Sequence, residues 1–350
     1  MATRTVGIRE VARRVGVHAS TVSLALRGSP LVRAATRARV EVAARELGYR
    51  SLPGVRQLMQ QLRTARKPGL RAELAMLHCD ADRLRVQGNP IAESIVRGAV
   101  NEAKILGYRL ERFVVGKGGF TQSRLQQVLD ARGIHGCLVY PGQFVPEPER
   151  LDWARFSWVR IGYAMQPPFF QEIVSNHLQL IRLALEHAGA GGARRICLVL
   201  NHAYDRVTRG AYLAGFLEWQ HRLAIGEKIP PLVLEEDVPA AVTVLRAVIR
   251  RHKPDLIIVP NAVVFAPLLL RAGLSIPGKT RLFSLHVSAE ERETAGIDQQ
   301  DELLGAMAVR QLDAAITHFR TGVQAAHSIT LVDGVWRAGA HVPSTAATGR

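Results

Sequence analysis

The sequence predicts an all-α helix-turn-helix head followed by an α/β body of two lobes with parallel, doubly wound sheets. Three observations lead to this prediction. Short segments with helical spacing of apolar residues fill the first 50 of the 350 residues. From residue 73 onward, apolar runs alternate with amphipathic stretches, as strands and helices do in parallel α/β proteins. The positive charge is concentrated in the helical part.

The charge distribution separates the head from the body. Residues 1–72 carry 15 Lys and Arg against 3 Asp and Glu, so they hold +12 of the formal net charge of +16. A compact basic module before a nearly balanced body is typical of a polyanion-binding head attached to another domain. The alternative, a basic surface that is merely solvated, predicts a more even spread of charge.

Composition indicates a globular protein with real cores, since 47% of the residues are hydrophobic. We find no run of about 18 uncharged apolar residues and no secretory signal at the first residues, so we expect a cytoplasmic protein with no membrane partner. Cys79, Cys137 and Cys197 lie in or beside apolar runs far apart in the chain. This placement favours buried thiols over metal ligands or disulfides.

The head reads as helix, turn, helix and a third closing helix. The first helix, "REVARRV", is followed by Gly16, which permits a tight turn, and Val17 begins the second segment. The third helix, "AATRARVEVAAREL", ends before Gly48. The predicted core residues of the head are Ile8, Val11, Ala12, Val15, Val22, Ala25, Leu26, Val40, Ala43, Ala44 and Leu47.

The outer face of the second helix is the candidate DNA-reading surface. In a helix-turn-helix this face enters the major groove, where small hydroxyls and aliphatic groups approach base edges and flanking arginines hold phosphates. The alternative is a solvated face of a small bundle. The candidate DNA-contacting residues of the head are Ala19, Ser20, Thr21, Ser23, Leu24, Arg27, Arg33 and Thr36.

A basic segment, "RSLPGVRQLMQQLRTARKPG", joins head and body. Its Pro53 can open a short helix, which a Pro/Gly linker follows. On "IREVARRVGVHASTVSLAL", "ATRARVEVAARELGY" and "VRQLM", the chain resembles the lactose and galactose repressor family (LacI/GalR). The resemblance implies a DNA-binding domain at 1–50, a hinge and linker at 51–72, and a two-lobed effector-binding and dimerisation domain at 73–350.

The resemblance also implies a role for the hinge. In the family, two hinge helices pair on operator DNA and wedge a leucine into the minor groove, and the matching position here is Leu58, with Arg56 beside it. Simple packing of Leu58 between hinge and body is the alternative. The chain departs from the family at Ser51-Leu52, before the hinge, and at the cap positions Gly7 and His18. The base-reading positions carry few bidentate donors, so DNA shape contributes to recognition.

The body contains two sets of predicted strands. The first set is "ELAMLHC", "YRLERFVV", "GCLVYPG" and "SWVRIGY", and the second is "RRICLVLN", "PPLVLEE", "PDLIIVPN" and "TRLFSLH". Predicted helices lie near 91–106, 121–132, 176–188, 207–224, 239–252 and 263–272. The late segment from "GIDQQ" to "SITLVDGVW" crosses back to complete both lobes. The resemblance implies a periplasmic-binding-protein-like effector domain with a cleft between the lobes.

Polar residues at the carboxyl ends of the strands form the candidate cleft, because open parallel sheets bind ligands there. These residues are His78, Asp80, Tyr140, Tyr163, Asn201, Asp205, Asn261 and His286. For each of them, loop solvation or a local hydrogen bond is the alternative. By resemblance, the ligand-binding positions also include Asn176, Arg209, Tyr212 and Gln299.

Several acids and an arginine of the family pattern are replaced here. Asn176 and His286 stand where the family has aspartates, and Tyr212 stands at the sugar-clamping arginine, with Arg209 one turn earlier. The family's Asn-Asp pair is Asn261-Ala262. These losses argue against an ordinary free hexose. A modified sugar, a purine-like compound, an acidic metabolite or an empty cleft remain as alternatives.

The motifs predict a regulator that is not an enzyme. We find no catalytic constellation, no zinc signature among the 12 histidines and no phosphate or dinucleotide loop, so no cofactor or metal is expected. We expect a sequence-specific transcriptional regulator, a repressor by resemblance, that binds a pseudo-palindromic operator as a homodimer and responds to a small molecule. The alternatives are an architectural DNA binder with a vestigial cleft and a small-molecule-binding or sugar-processing protein.

Overall fold

The computed structural model describes residues 8–26, 29, 31–47, 72–79, 89–116, 119–140, 147, 150–164, 166–224, 227–235, 237–274, 278–288, 291–323 and 326–340. Nearly all of the predicted hinge lies outside these residues. The candidate residues Arg27, Arg56, Leu58 and Asp80 also lie outside them, as does the side chain of Cys79.

The head is a bundle of three helices, α1 (Ile8–Val15), α2 (Ala19–Leu26) and α3 (Ala34–Glu46). One valine from each helix, Val11, Val22 and Val40, is fully buried in a shared apolar cluster. Gly16 has a φ of 73°, which only glycine adopts without strain, so it makes the turn between α1 and α2. The second helix begins at Ala19 rather than at Val17, because the turn continues to His18.

The first lobe is built on a six-stranded parallel sheet in the order β11-β5-β4-β3-β1-β2. Helices α4 (Pro90–Ile105) and α11 (Asp301–Thr317) cover one face, and α5 (Gln122–Arg132) covers the other. Both faces are covered, so the strands are apolar on both sides. The strands are β1 (Ala72–Cys79), β2 (Tyr108–Val115), β3 (Gly136–Val139), β4 (Ser157–Ile161), β5 (Gln171–Ser175) and β11 (Ile329–Val332).

The second lobe has a sheet in the order β12-β10-β9-β8-β6-β7, in which β12 alone is antiparallel among the described strands. Its strands are β6 (Ile196–Asn201), β7 (Leu232–Leu234), β8 (Leu256–Val259), β9 (Arg281–Ser284), β10 (Ala295–Asp298) and β12 (Val335–Arg337). The helices of this lobe are α6 (His177–Ala190), α7 (His202–Val207), α8 (Ala211–His221), α9 (Val238–His252) and α10 (Ala262–Arg271). Helices α6 and α8 pack on one face, and α9 and α10 pack on the other.

The chain passes between the lobes three times, after β5, after β10 and after β11. Hydrogen bonds tie the three crossings together: Asn176 Nδ2 donates to Asp333 Oδ1 over 2.7 Å, and Gln300 Nε2 donates to the Asp333 carbonyl over 2.7 Å. The predicted late crossing is therefore confirmed.

Most predicted strands are confirmed, but one helix prediction is wrong. The predicted helix at 207–224 is two helices, α7 and α8, because the chain turns left-handed at Arg209 (φ 52°) and Gly210 (φ 72°). Strand β5 has no counterpart among the predicted strands. Cys137 and Cys197 are buried free thiols, and burial raises the pKa of Cys197 to about 12.

Membrane-spanning helices and metal-binding groups are both absent from the described residues. None of their helices is long and apolar enough to cross a membrane. Within the same ranges, no three His, Cys, Asp or Glu side chains come together as a metal-binding group.

Candidate functional site

The second helix of the head presents a small hydroxyl-bearing surface. Ser20 is exposed, and Thr21 and Ser23 are partly exposed beside it. Ser20 Oγ lies 2.8 Å from His18 Nδ1, and its backbone N–H points to the same nitrogen at 3.4 Å. His18 therefore takes the place of the usual hydroxyl cap at the start of α2.

Two of the candidate reading residues are less exposed than predicted. Ala19 and Leu24 pack partly against the apolar cluster of the head, so each offers only part of its surface to a groove. Leu24 is held there because it lies between the buried Val22 and Ala25 in the sequence of this short helix. Arg33 is exposed just before α3, and Thr36 is partly exposed in its first turn.

Four candidate ligand residues, Tyr163, Arg209, Tyr212 and Gln299, come together between the lobes. They meet around His177, and we call these five residues the inter-lobe cluster. Tyr163 follows β4 in the first lobe, and Arg209 lies in the second lobe between α7 and α8. The Arg209 guanidinium stands 4.4 Å from the centre of the Tyr163 ring, and its Nη2 donates to the Ala164 carbonyl over 2.7 Å. A side chain from one lobe therefore holds the backbone and an aromatic ring of the other.

The side chain of Glu172, in β5 of the first lobe, lies beside this contact. Its carboxylate is fully buried in β5, where Oε1 accepts the Ala164 N–H over 2.7 Å. Oε2 lies 3.9 Å from Arg209 Nη2 and 3.5 Å from His327 Nε2, and no described group donates a hydrogen bond to it. Burial of the Tyr163 hydroxyl raises its pKa, and the nearby Arg209 charge opposes that shift.

His177 lies at the centre of the cluster, at the first residue of α6. Its ring centre is 5.9 Å from that of Tyr163 and 5.2 Å from that of Tyr212. Its Nδ1 is buried without a hydrogen-bond partner among the described residues. Burial, and then the charge of His286, lower the pKa of His177 to about 4, so the ring is neutral at pH 7 and can accept or donate a bond.

Tyr212 and Gln299 form the floor of the cluster. The Tyr212 side chain is buried, and its hydroxyl accepts a 3.2 Å bond from Gln299 Nε2, which also donates to the Leu285 carbonyl over 2.8 Å. Burial raises the pKa of Tyr212 well above its usual value. Nearby, His286 Nε2 lies 2.9 Å and 3.0 Å from the two carboxylate oxygens of Asp301.

Comparison with known proteins identifies the head. Residues 7–51 match the family model described as "Bacterial regulatory proteins, lacI family". The head matches the lacI family, and the match does not extend into the body. It confirms the resemblance on "IREVARRVGVHASTVSLAL". No curated protein sequence matches the chain.

Several solved structures share the fold of this chain. A complex of the transcriptional regulator CelR with cellobiose is 19% identical to it and has a TM-score of 0.55. The alignment covers 95% of this chain and 98% of the CelR chain. The lac repressor dimer bound to operator and the anti-inducer ONPF is 19% identical, covers 96% and 98%, and has a TM-score of 0.53. A LacI transcriptional regulator from a Rhodococcus species is 16% identical, covers 75% and 96%, and has a TM-score of 0.55. The predicted periplasmic-binding-protein-like body is confirmed as a fold.

Other candidate residues of the body make local hydrogen bonds at the starts of helices. Asn176, Asn201 and Asn261 cap helices α6, α7 and α10 through their side-chain oxygens. These three side chains fit the local alternative, because an asparagine between a strand and a helix satisfies an N–H that the helix leaves free. Asp205 lies beside the turn at Gly210, and its buried Oδ1 has no hydrogen-bond partner among the described residues.

Two first-lobe candidates lie outside the inter-lobe cluster. His78 is buried at the end of β1 with no described partner for either ring nitrogen, and burial, then the Arg112 charge, lower its pKa to about 4. Tyr140 packs partly buried against the core of the first lobe.

Sequence patterns did not reveal four residues of the site: Glu172, His177, Asp301 and His327. The signal for Glu172 was a single carboxylate inside the apolar run that became β5. His177 and Asp301 each begin a helix, and the family pattern placed the ligand positions at the nearby Asn176 and Gln299 instead. A separate depression of about 350 Å³ lies along the outer face of α6, near Gln179 and Arg182, and does not include the inter-lobe cluster.

Proposed function

We propose that the protein is a dimeric repressor that binds a pseudo-palindromic operator and releases it when a small molecule enters the inter-lobe cluster. The observation that carries the proposal is the contact of Arg209 with Tyr163 and Ala164 across the lobes, in a chain whose head matches the lacI family. This contact makes the lobe arrangement depend on one exposed, ligand-accessible cation.

DNA reading is assigned to the exposed face of α2. Ser20, Thr21 and Ser23 can approach base edges, and Arg33 can hold a phosphate beside the groove. Hydroxyls read bases less strictly than bidentate arginine or amide side chains, so groove shape carries part of the specificity. Selection of bound sequences from random DNA tests this proposal. We expect a two-fold symmetric motif, and recovery of no symmetric motif would contradict it.

The ligand is a small, ring-bearing polar molecule. The partly exposed ring of Tyr163, the His177 Nδ1 that has no partner among the described residues, and the guanidinium of Arg209 suit a molecule that stacks and accepts hydrogen bonds. The similar CelR structure holds cellobiose, which supports a carbohydrate or related ring. The relatives are regulators, and we assign no reaction to the site.

A thermal-shift screen tests the sensor role. Sugars, nucleobases and carboxylic acids are each added to the full chain, and a true ligand raises the Tm because it binds only the folded state. We expect the shift to disappear in Arg209→Ala and to persist in Arg155→Ala, whose exposed arginine pairs with Asp130 far from the cluster. Absence of any shift across the panel would favour an architectural DNA binder with a vestigial cleft.

A second copy of the chain is the proposed partner of α10. Val263, Val264, Pro267 and Leu270 are exposed along one side of this helix at spacings of three and four residues. The lac repressor structure that shares this fold is a dimer on its operator, which supports the same arrangement here. Linkage then requires that a ligand that weakens operator binding is itself bound more weakly by the operator complex.

A further inference from the structure

The amino-terminal edge of the second sheet gathers positive charge from three separate parts of the chain. Arg194 and Arg195 precede β6, Arg250, Arg251 and Lys253 lie at the end of α9, and Arg281 begins β9. These six residues, the basic edge, are close because β6, β8 and β9 are parallel neighbours that start together. Lys279 lies exposed two residues before β9. The inter-lobe cluster lies at the opposite ends of these strands.

Within the described residues, no acidic side chain pairs with the arginines and the lysine of the basic edge. Among the described residues, no member of the basic edge forms an ion pair with a carboxylate, whereas first-lobe arginines such as Arg97, Arg155 and Arg310 each do, at 2.8–3.1 Å. Asp255, between α9 and β8, is a carboxylate that contacts the backbone of the basic edge. Its Oδ2 accepts the backbone N–H groups of Arg194 and Arg195 over 3.0 Å and 3.1 Å, and Oδ1 is buried.

Two of these six cations, Arg195 and Arg281, are bonded to carbonyls at the C-terminal ends of helices. Arg195 Nε donates to the His252 carbonyl over 2.7 Å at the end of α9, and Arg281 Nη1 donates to the Gly191 carbonyl over 2.9 Å just after α6. Cations at helix C-termini are stabilised by the helix dipole. Within the described part of the chain, the side chains of Arg194, Arg250, Arg251 and Lys253 make no such bond, and all four are exposed.

We propose that the basic edge binds the phosphate backbone of a DNA segment other than the one that the head holds. No large exposed hydrophobic side chain lies in the described residues at 191–195, 250–255 or 278–281. Protein interfaces centre on aromatic and aliphatic side chains, whereas phosphate contacts need only closely spaced cations, so the surface fits DNA better than an acidic protein. The protein then bridges two duplexes, or two parts of one duplex, and this bridging goes beyond operator binding.

The test compares two double variants of the full chain with equal changes of charge. Arg250→Glu/Arg251→Glu alters the basic edge, and Arg124→Glu/Arg320→Glu alters two exposed first-lobe arginines that form no ion pair among the described residues. Protein held on a bead-bound duplex is challenged with a labelled random 30-base-pair duplex at rising salt. We expect several-fold less capture by the edge variant alone, and a salt slope lower by about 2, since each lost phosphate contact lowers it by about 0.9.

Each result separates the basic edge from the head. Equal capture by the edge variant and its control overturns the proposal, as does tighter binding of a polyglutamate peptide than of the duplex at the same salt. If no protein, including wild type, binds the bead-bound duplex, the head has failed to bind DNA. Direct titration of each protein with the random duplex then compares the two variants. If Arg250→Glu/Arg251→Glu lowers the Tm, Arg250→Gln/Arg251→Gln replaces it.

Discussion

At the scale of single residues, the contact between the lobes depends on the buried carboxylate of Glu172. The Ala164 N–H is bonded to one oxygen of this buried carboxylate, and the Arg209 guanidinium and the His327 ring lie beside the other. A buried charge is tolerated only when such partners remain, and removal of one of them exposes the desolvation cost of the other. Arg209 therefore contributes both to lobe closure and to the stability of β5.

Replacement of Arg209 by alanine should lower the free energy of unfolding by about 1–2 kcal/mol. Loss of one partner of a buried pair costs about 3–5 kcal/mol, and the 38% exposure of the Arg209 side chain reduces that figure through solvent screening. Denaturant unfolding measures the change. Arg155→Ala, which breaks an exposed pair, is the control and should cost less than about 1 kcal/mol. Equal losses in both variants would contradict the role assigned to Glu172.

The neutral ring of His177 makes stability depend on pH. Its folded-state pKa of about 4 lies below the ordinary 6.5, so the unfolded chain takes up a proton first as the pH falls. The contribution of the neutral His177 ring to the free energy of unfolding is complete above pH 6.5. It declines by about 3 kcal/mol between pH 6.5 and 4 and is constant below that range. In His177→Phe, the stability difference between pH 7 and pH 4.5 should shrink, whereas exposed His221→Phe should match the wild type.

At the scale of elements, the first lobe depends on a close crossing of α4 and α11. A Cβ at Gly98 would overlap the Glu302 carbonyl, and one at Gly305 would overlap the Ile95 carbonyl, so each helix carries a glycine where the other approaches. Because these clashes involve backbone atoms, they are relieved only by separating the helices. The two glycines thus fix the position of the helix that follows the second crossing.

An alanine at Gly98 or at Gly305 should lower the free energy of unfolding by about 1–3 kcal/mol or more. This is the range found when a packed core is overfilled. Gly189→Ala is the matched control. That glycine lies near the end of α6 with no atom within 4 Å of an added Cβ, and alanine there should be neutral or stabilising by up to about 1 kcal/mol. Thermal unfolding of the three variants measures the effect, and an unchanged Tm in Gly98→Ala would rule out the crossing as described.

Sequence patterns predicted the elements whose burial is uniform. Strands such as β6 and β8 are covered on both faces, so their apolar runs are unmistakable, and the head repeats helical spacing three times. Strand β5 was missed because two polar residues, Gln171 and Glu172, begin it. The side chains beside them, such as Gln311, Arg209 and His327, come from distant parts of the chain. The split between α7 and α8 depends on left-handed backbone at Arg209, which no apolar spacing reveals.

The candidate site was predicted in part for the same reason. The rule for the ends of parallel strands predicted Tyr163, and the family resemblance predicted Tyr212 and Gln299. These residues meet between the lobes. The rules also selected asparagines that cap helices, because a capping residue and a ligand-binding residue occupy the same strand-to-helix position. Only the three-dimensional contacts distinguish the two roles.

At the scale of the whole molecule, the proposed pairing of two copies would tie DNA affinity to the dimer. Two heads on one duplex bind with an effective concentration far above that of free heads, which raises the overall affinity by about 10²–10⁴-fold. The exposed side of α10 is the surface proposed for pairing, so changes there should act on DNA binding without touching the head.

Charged residues on α10 should convert the dimer to a monomer. Val263 and Leu270 are 65% and 53% exposed, so glutamates at both positions disturb no core of the isolated chain but place unpaired charges in the proposed interface. We expect Val263→Glu/Leu270→Glu to elute as a monomer with unchanged Tm at high dilution, and to bind the selected symmetric site at least about 100-fold more weakly while a half-site is bound as by wild type. Leu217→Glu/Val323→Glu, two exposed apolar residues elsewhere, should remain dimeric. A dimer that survives the α10 changes would place the pairing surface on another face, and a monomer that keeps full affinity would separate operator binding from pairing altogether.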